Sequence, residues 1–118
     1  VEHKQIQTPD DALMQRIMEV INENIGDSDL SVDMIAQKVG ISRVHLHRKM
    51  KELTNQTPHS FIRNIRLQQA AKLLKDGKQS ITDVMYTCGF SNSASFSTMF
   101  KNLYGCSPRE YMMNAIKE

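Results

Sequence analysis

TPHSFIRNIRLQQAAKLLK, residues 57–75, reads as one unbroken helix, and the placement of its apolar residues decides how the rest of the chain is interpreted. Thr57 is a favoured N-cap, and Pro58 suits the first helical position, where no backbone N–H is needed. Gly77 after Asp76 supplies a stop. About 18 residues at about 1.5 Å each make a rod of roughly 27 Å. On a helical wheel Phe61, Ile62, Ile65 and Leu73 fall on one side and Leu67, Ala70, Ala71 and Leu74 on another. The two sets are centred about 165° apart at about 3.6 residues per turn. A surface helix carries one apolar stripe, so two nearly opposed stripes predict a helix held between two packing partners. Burial in a single core also fits this pattern, and the flanking sequence has to decide between the two.

Upstream, LSVDMIAQKVGISRVHLHRKMKEL (residues 30–53) has the grammar of two short helices joined by a tight turn. Ser31 caps the first, which carries Ile35, Ala36 and Val39 before Gly40. Ser42 caps the second, whose predicted buried stripe is Leu46, Met50 and Leu53. The small Ala36 lets the second helix cross closely, and Gly40 can take the positive φ that a sharp turn requires. This is a helix-turn-helix pattern, although many other helical hairpins place Ala and Gly in the same way.

The pattern then recurs. Ser80–Gly89 (SITDVMYTCG) follows SVDMIAQKVG at an offset of 49, pairing Ser31 with Ser80, Ile35 with Val84 and Gly40 with Gly89. One residue is added in the turn, and the offset becomes 50: Leu46 pairs with Phe96, Met50 with Phe100, Leu53 with Leu103, Pro58 with Pro108 and Phe61 with Tyr111. Ser80 with Asp83 and Ser107 with Glu110 have capping-box spacing. An earlier run, TPDDALMQRIMEVINENIG, adds a helix with a cap at Thr8, two acids in its first turn, and a stop at Gly26. It is expected to pack on the first helix-turn-helix, with its acidic face simply solvated. The predicted fold is therefore all-α, with seven helices forming two helix-turn-helix subdomains joined by a long linker helix. The expected boundaries are a linker or disordered leader over 1–7, a first subdomain over 8–56, the linker helix over 57–76 and a second subdomain over 77–118.

Charge and chemistry narrow the function. Residues 1–27 hold two basic side chains against six acidic ones, and the remainder thirteen against seven, so the basic charge lies in the repeated part. Such asymmetry fits a nucleic-acid partner, and it also fits a solvated surface. No apolar run is long enough to span a membrane, and no acids, bases and nucleophiles cluster as an enzyme requires. His45 and His47, two apart on a helix, point in different directions and do not share a metal ion. Cys88 and Cys106 lack CxxC spacing and sit among apolar neighbours, which predicts core positions, no metal site and a reducing, cytoplasmic setting. No cofactor is expected. The second helix of the first pair is more informative: opposite its apolar stripe lie Val44, His47, Arg48 and Lys51, flanked by Arg43 and Lys49. Arginine recognises guanine and a methyl-sized group recognises thymine in a major groove, so this face suits reading double-stranded DNA. A basic helix that is merely solvated has the same charge pattern.

These residues carry a family resemblance. GFSNSASFSTMFKNLYGCSPREY, residues 89–111, resembles the signature of the AraC/XylS family of bacterial transcription regulators, through Gly89-Phe90-Ser91, Phe96, Phe100-Lys101, Gly105, Ser107-Pro108 and Tyr111. LSVDMIAQKVGIS, Leu46 and the Arg66, Ala70, Leu73, Leu74 pattern agree, so the resemblance covers the chain from about Ala12 onward. Two residues depart from it: Met85 stands where the family has a small Ala, and Met112 follows Tyr111 where Arg is common. The resemblance implies a DNA-binding domain with two recognition helices in successive major grooves, placing base contacts at Val44, His47 and Arg48 and at Ser93, Ala94, Ser95, Ser97 and Thr98. The wheel independently puts Ala94, Ser97, Thr98 and Lys101 opposite Phe96, Phe100 and Leu103. That second face is small and mostly hydroxyl-bearing, so the first unit is expected to supply most base discrimination and the second phosphate, methyl and water-mediated contacts.

Candidate phosphate contacts are Ser42, Arg43, Lys49, Lys51, Thr57, Lys101 and Ser107, which offer a cation or a helix start beside the groove. A rigid linker that holds the recognition helices closer than one DNA repeat of about 34 Å predicts that the duplex bends toward the protein. A chain that opens on Val1 is expected to be excised from a longer protein, with an effector-binding or receiver domain preceding it. The isolated piece is expected to be monomeric and free of membrane contact. RNA polymerase is the expected protein partner, and activation is favoured over repression. The competing reading is a protein-interaction module that docks on polymerase through the basic helix and binds DNA without sequence preference.

Overall fold

The computed structural model describes residues 8–117 and holds seven helices, with no strand among the described residues. The leader expected over 1–7 lies outside the described residues. In chain order the helices are α1 (Pro9–Glu23), α2 (Val32–Val39), α3 (Arg43–Thr54), α4 (Pro58–Asp76), α5 (Ile81–Thr87), α6 (Ser93–Tyr104) and α7 (Pro108–Lys117).

Side chains start most of them. The Ser31 hydroxyl accepts from Met34 N–H, Ser42 from His45, Ser80 from Asp83 and Ser107 from Glu110, each at 3.1 Å. Asn92 accepts from Ser95 at 2.9 Å. At α1 the bonding is reciprocal, Asp11 N–H donating to Thr8 at 3.1 Å and Thr8 N–H to the Asp11 carboxylate at 3.3 Å. Left-handed residues directly follow four helices: Gly40 at φ 85°, Asn55 at φ 59°, Gly77 at φ 68° and Gly105 at φ 81°. Asn tolerates this region better than other non-glycine residues. No described helix is long and apolar enough to cross a membrane.

The chain divides into two compact units. The first contains the residues up to Asn24 together with Leu30–His59. Ile17 and Ile21 of α1, Val32, Ile35, Ala36 and Val39 of α2, and Leu46 and Met50 of α3 are its buried residues. α1 is also tied to the helix-turn-helix by polar bonds: Arg16 donates to the Val39 carbonyl at 2.8 Å, near the carbonyl-rich end of α2. Lys49 of α3 donates to Asp10 at 3.1 Å. The expectation of a merely solvated acidic face on α1 is thus corrected at Asp10, which pairs with a lysine 39 residues away in sequence.

The second unit takes Ile25–Asp29 and everything from Ser60 onward. Its core joins Leu67, Ala70, Ala71 and Leu74 of α4 to Val84, Met85, Cys88, Phe96 and Phe100. Met85, which departs from the family pattern, is buried in that core. Phe100 contacts three other rings, with centroids 5.9 Å from Phe96, 4.7 Å from Tyr104 and 5.4 Å from Tyr111, and Phe90 lies 5.0 Å from Phe96. Aromatic pairs at such distances each add about 0.5–1.5 kcal/mol beyond area burial, so α6 is firmly seated. On the other α4 stripe Ile62 is buried and Phe61, Ile65 and Leu73 are half-buried, with Leu73 packed against this same core.

Leu53 and Leu103 depart from the predicted stripes. They occupy matching places in the two repeats and are 37% and 43% exposed. The wheel puts both on the apolar face, and both stand in the last turn of their helix, at the edge of the buried stripe.

Candidate nucleic-acid interface

In the first unit, Ser42 sets the start of α3, and the burial of Leu46 and Met50 fixes its rotation. The opposite face then points outward by default. Val44 is 78% exposed, Arg48 and Lys51 are exposed, and His47 is half-buried. The exposed Val44 leaves a small apolar group available on a face otherwise made of cations and an imidazole.

The cations of α3 differ in how they are held. Arg43 lies 3.4 Å from Asp33, in a pair with both side chains more than half exposed. Lys51 donates to the Asn55 carbonyl at 3.4 Å, at the end of its own helix. Lys49 lies between Asp10 and Glu52, at 3.1 and 3.7 Å, and its hydrogen bond to Asp10 and the two negative charges hold its pKa above the ordinary lysine value. Among the described residues no side chain engages the Arg48 guanidinium. Arg48 therefore keeps all its donors for a ligand.

In the second unit Asn92 starts α6, and Phe96 and Phe100 fix its rotation. Ser93, Ala94, Ser95, Ser97, Thr98 and Lys101 are all exposed. Ala94, Ser95, Thr98 and the half-buried Met99 line an open depression of about 360 Å³. This surface offers hydroxyls and methyl groups with a single cation, Lys101, while α3 offers four cations.

At the remaining helix starts, Thr57 is exposed ahead of α4. Ser107 caps α7 and also donates to the Glu110 carboxylate at 3.2 Å, which places a negative charge beside any anion bound there. Sequence reasoning did not anticipate the Lys49–Asp10 pair, because nothing in helical periodicity links residues that far apart. It also assigned Arg66 only to a family pattern. In the structure Arg66 of α4 donates to the Asp27 carbonyl at 2.6 Å, inside the second unit. Burial pushes its pKa down, and the Asp27 carboxylate opposes that effect.

A family model described as a helix-turn-helix domain matches residues 35–114. The transcriptional activator RhaS of Escherichia coli is 38% identical over 82 residues, which cover 70% of this chain and 30% of RhaS. A protein of Formosa agariphila named histidine kinase P4 is 33% identical over 106 residues, 90% of this chain but 8% of that protein. The chain thus spans less than a third of either relative. Among solved structures, a transcriptional regulator from Chromobacterium violaceum with an AraC-type DNA-binding domain superposes with a TM-score of 0.83 at 31% identity, over 88% of this chain and 92% of that one.

Proposed function

Because the chain belongs to the AraC/XylS family and constitutes its DNA-binding, transcription-regulating domain, we propose that it reads double-stranded DNA sequence-specifically with α3 and α6 in successive major grooves. The observation that carries this reading is the outward face of α3, where an Arg48 guanidinium unpaired among the described residues stands one helical turn from an exposed Val44. Arg48 donates to guanine, Val44 meets a thymine methyl, and His47 contributes from the same face. On α6, Ser93, Ala94, Ser95, Ser97 and Thr98 touch base edges with shorter reach, so the α3 half-site carries more of the discrimination.

Phosphates are held by Arg43, Lys51, Lys101 and the helix starts at Ser42 and Thr57, with Lys49 available when it leaves Asp10 and Ser107 opposed by Glu110. The uninterrupted α4, nineteen residues long, motivates the further proposal that the duplex bends toward the protein on binding. Straight DNA in a gel-phasing assay would refute the bend.

The relatives are far longer than this chain, which supports a whole protein in which an effector-binding or receiver domain governs this output domain. The activator name of RhaS supports activation. RNA polymerase as the partner, a cytoplasmic location and a monomeric isolated domain are part of the same proposal. The family is a DNA-binding regulator domain, not an enzyme.

Arg48→Ala tests the reading. It is expected to relax preference at one base pair, at a cost of about 1–3 kcal/mol, with a smaller effect from Thr98→Ala. Equal loss on every sequence would make Arg48 a phosphate contact, and silence of Arg48→Ala beside loss of specific binding in Thr98→Ala would reverse the ranking of the two helices.

A further inference from the structure

The turns leading into the two recognition helices are not supported alike. Gly40 and Gly89 occupy matching places and share the left-handed conformation, at φ 85° and 87°. Around Gly40 nothing lies within 4 Å of the point where a Cβ would sit. At Gly89 the same point is 2.8 Å from the Ile25 carbonyl oxygen, 3.0 Å from Arg66 Cζ and 3.1 Å from Arg66 Nε. A Cβ on Gly26 would in turn lie 2.9 Å from the Thr87 carbonyl oxygen. The backbone of residues 25–26 therefore packs directly on the backbone of residues 87–89, with no side chain between them.

Arg66 closes this arrangement. Its Cζ and Nε lie against Gly89 while its Nη2 donates to the Asp27 carbonyl at 2.6 Å, and Asp29 N–H folds back onto the Asp27 carboxylate at 2.8 Å. Arg66 Nε is buried with no acceptor among the described residues, an unfavourable position that the Gly89 contact and the Asp27 bond must offset. All of these residues lie in the second unit, although Ile25–Asp29 is flanked in sequence by α1 and α2 of the first.

The turn that receives this support is also the longer one. α3 begins three residues after Gly40, whereas α6 begins four residues after Gly89. The added residue widens the conformations open to the turn, and a wandering turn would let the start of α6 shift. Base readout loses most of its discrimination when a side chain is misplaced by a fraction of a hydrogen-bond length.

We propose that Arg66 is the positioning residue of the second reading head: by clamping Ile25–Asp29 beneath the Gly89 turn, it sets where α6 presents Ser93 to Thr98. The proposal rests on the reading that α6 contacts bases, and Arg66 itself touches none. Its effect is confined to one half of the binding site.

The test uses the full 118-residue chain and duplexes in which one half-site at a time is varied. The half-site belonging to α6 is the one whose preference changes in Thr98→Ala. Arg66→Met keeps the length and apolar stem but loses the plane and donors. It is expected to reduce discrimination at the α6 half-site from about tenfold per base pair to within about twofold, leaving the α3 half-site unchanged. Arg66→Lys retains one donor and is expected to recover part of that loss. Gly26→Ala disturbs the clamp without touching Arg66 and is expected to reproduce the half-site-limited defect, which keeps the test decisive if Arg66→Met does not fold. Equal loss at both half-sites, or full retention at the α6 half-site in both Arg66→Met and Gly26→Ala, overturns the proposal. A wild-type chain that selects no site at all would instead remove the DNA-reading premise, and the proposal with it.

Discussion

Replacing Gly40 and Gly89 by Ala, one at a time, separates backbone strain from steric contact in a single protein. The two glycines share a conformation within 2° of φ, so any L-residue at either site meets the same left-handed cost of about 1–2 kcal/mol. Loss of unfolded-state freedom returns about 0.4–1 kcal/mol in both variants. Gly40→Ala has open space for its methyl and is expected to destabilise by about 0–1.5 kcal/mol net. Gly89→Ala places its methyl 2.8 Å from a backbone oxygen and 3.0 Å from a guanidinium carbon, so two neighbours must move. Overpacking of that kind costs about 1–3 kcal/mol more, giving a total of about 1–4.5 kcal/mol. Urea denaturation followed by far-UV circular dichroism measures both variants. Tyrosine fluorescence follows the second unit alone, because the chain has no Trp and Tyr86, Tyr104 and Tyr111 all lie there. Costs equal within about 0.5 kcal/mol would refute the reasoning, since they would mean that the Ile25 and Arg66 contacts yield without resistance.

Other consequences can be checked as directly. Asp10→Ala combined with Glu52→Gln is expected to release Lys49 and steepen the salt dependence of DNA binding by about one phosphate contact, a change of about 0.9 in log–log slope; an unchanged slope would show that Lys49 does not reach a phosphate. Burial pushes the Cys88 thiol up to about 11 from 9.0, which favours its neutral form in the folded protein. The unfolded chain gives up this proton first as pH rises, so stability is expected to fall between pH 9.0 and about 11, by up to about 1.4 kcal/mol per pH unit, with Cys88→Ser as the control. In thiol titration at neutral pH the half-buried Cys106 is expected to react first and the buried Cys88 only on unfolding. Leu53→Ala is expected to cost at most about 1 kcal/mol and Leu46→Ala about 2–5 kcal/mol, as measured by chemical denaturation.

Helix number, order and starts were legible because caps and periodicity are local: Ser31, Ser42, Ser80 and Ser107 start helices in sequence and structure alike. The repeat was legible because duplicated units bury duplicated positions, Leu46 with Phe96 and Met50 with Phe100. Leu53 and Leu103 misled because a wheel gives direction around a helix without saying how far along it the buried contact extends. Asp10 and Arg66 were opaque for a different reason. Each bonds a group 39 residues away, and such pairings exist only once the helices have packed. Of the candidate site, the exposed faces of α3 and α6 followed from the burial of their opposite sides. The intramolecular partners of Arg43, Lys49 and Lys51 did not, and these decide which cations are free to meet a phosphate.

Selection of duplexes from a random pool by this chain, followed by affinity of the winner against salt, separates sequence-specific reading from indiscriminate binding. Two short motifs about one helical turn apart are expected, the better-defined one losing a base preference in Arg48→Ala, with a salt slope of several phosphate contacts. Absence of enrichment, with shallow and sequence-independent binding, would contradict sequence-specific reading.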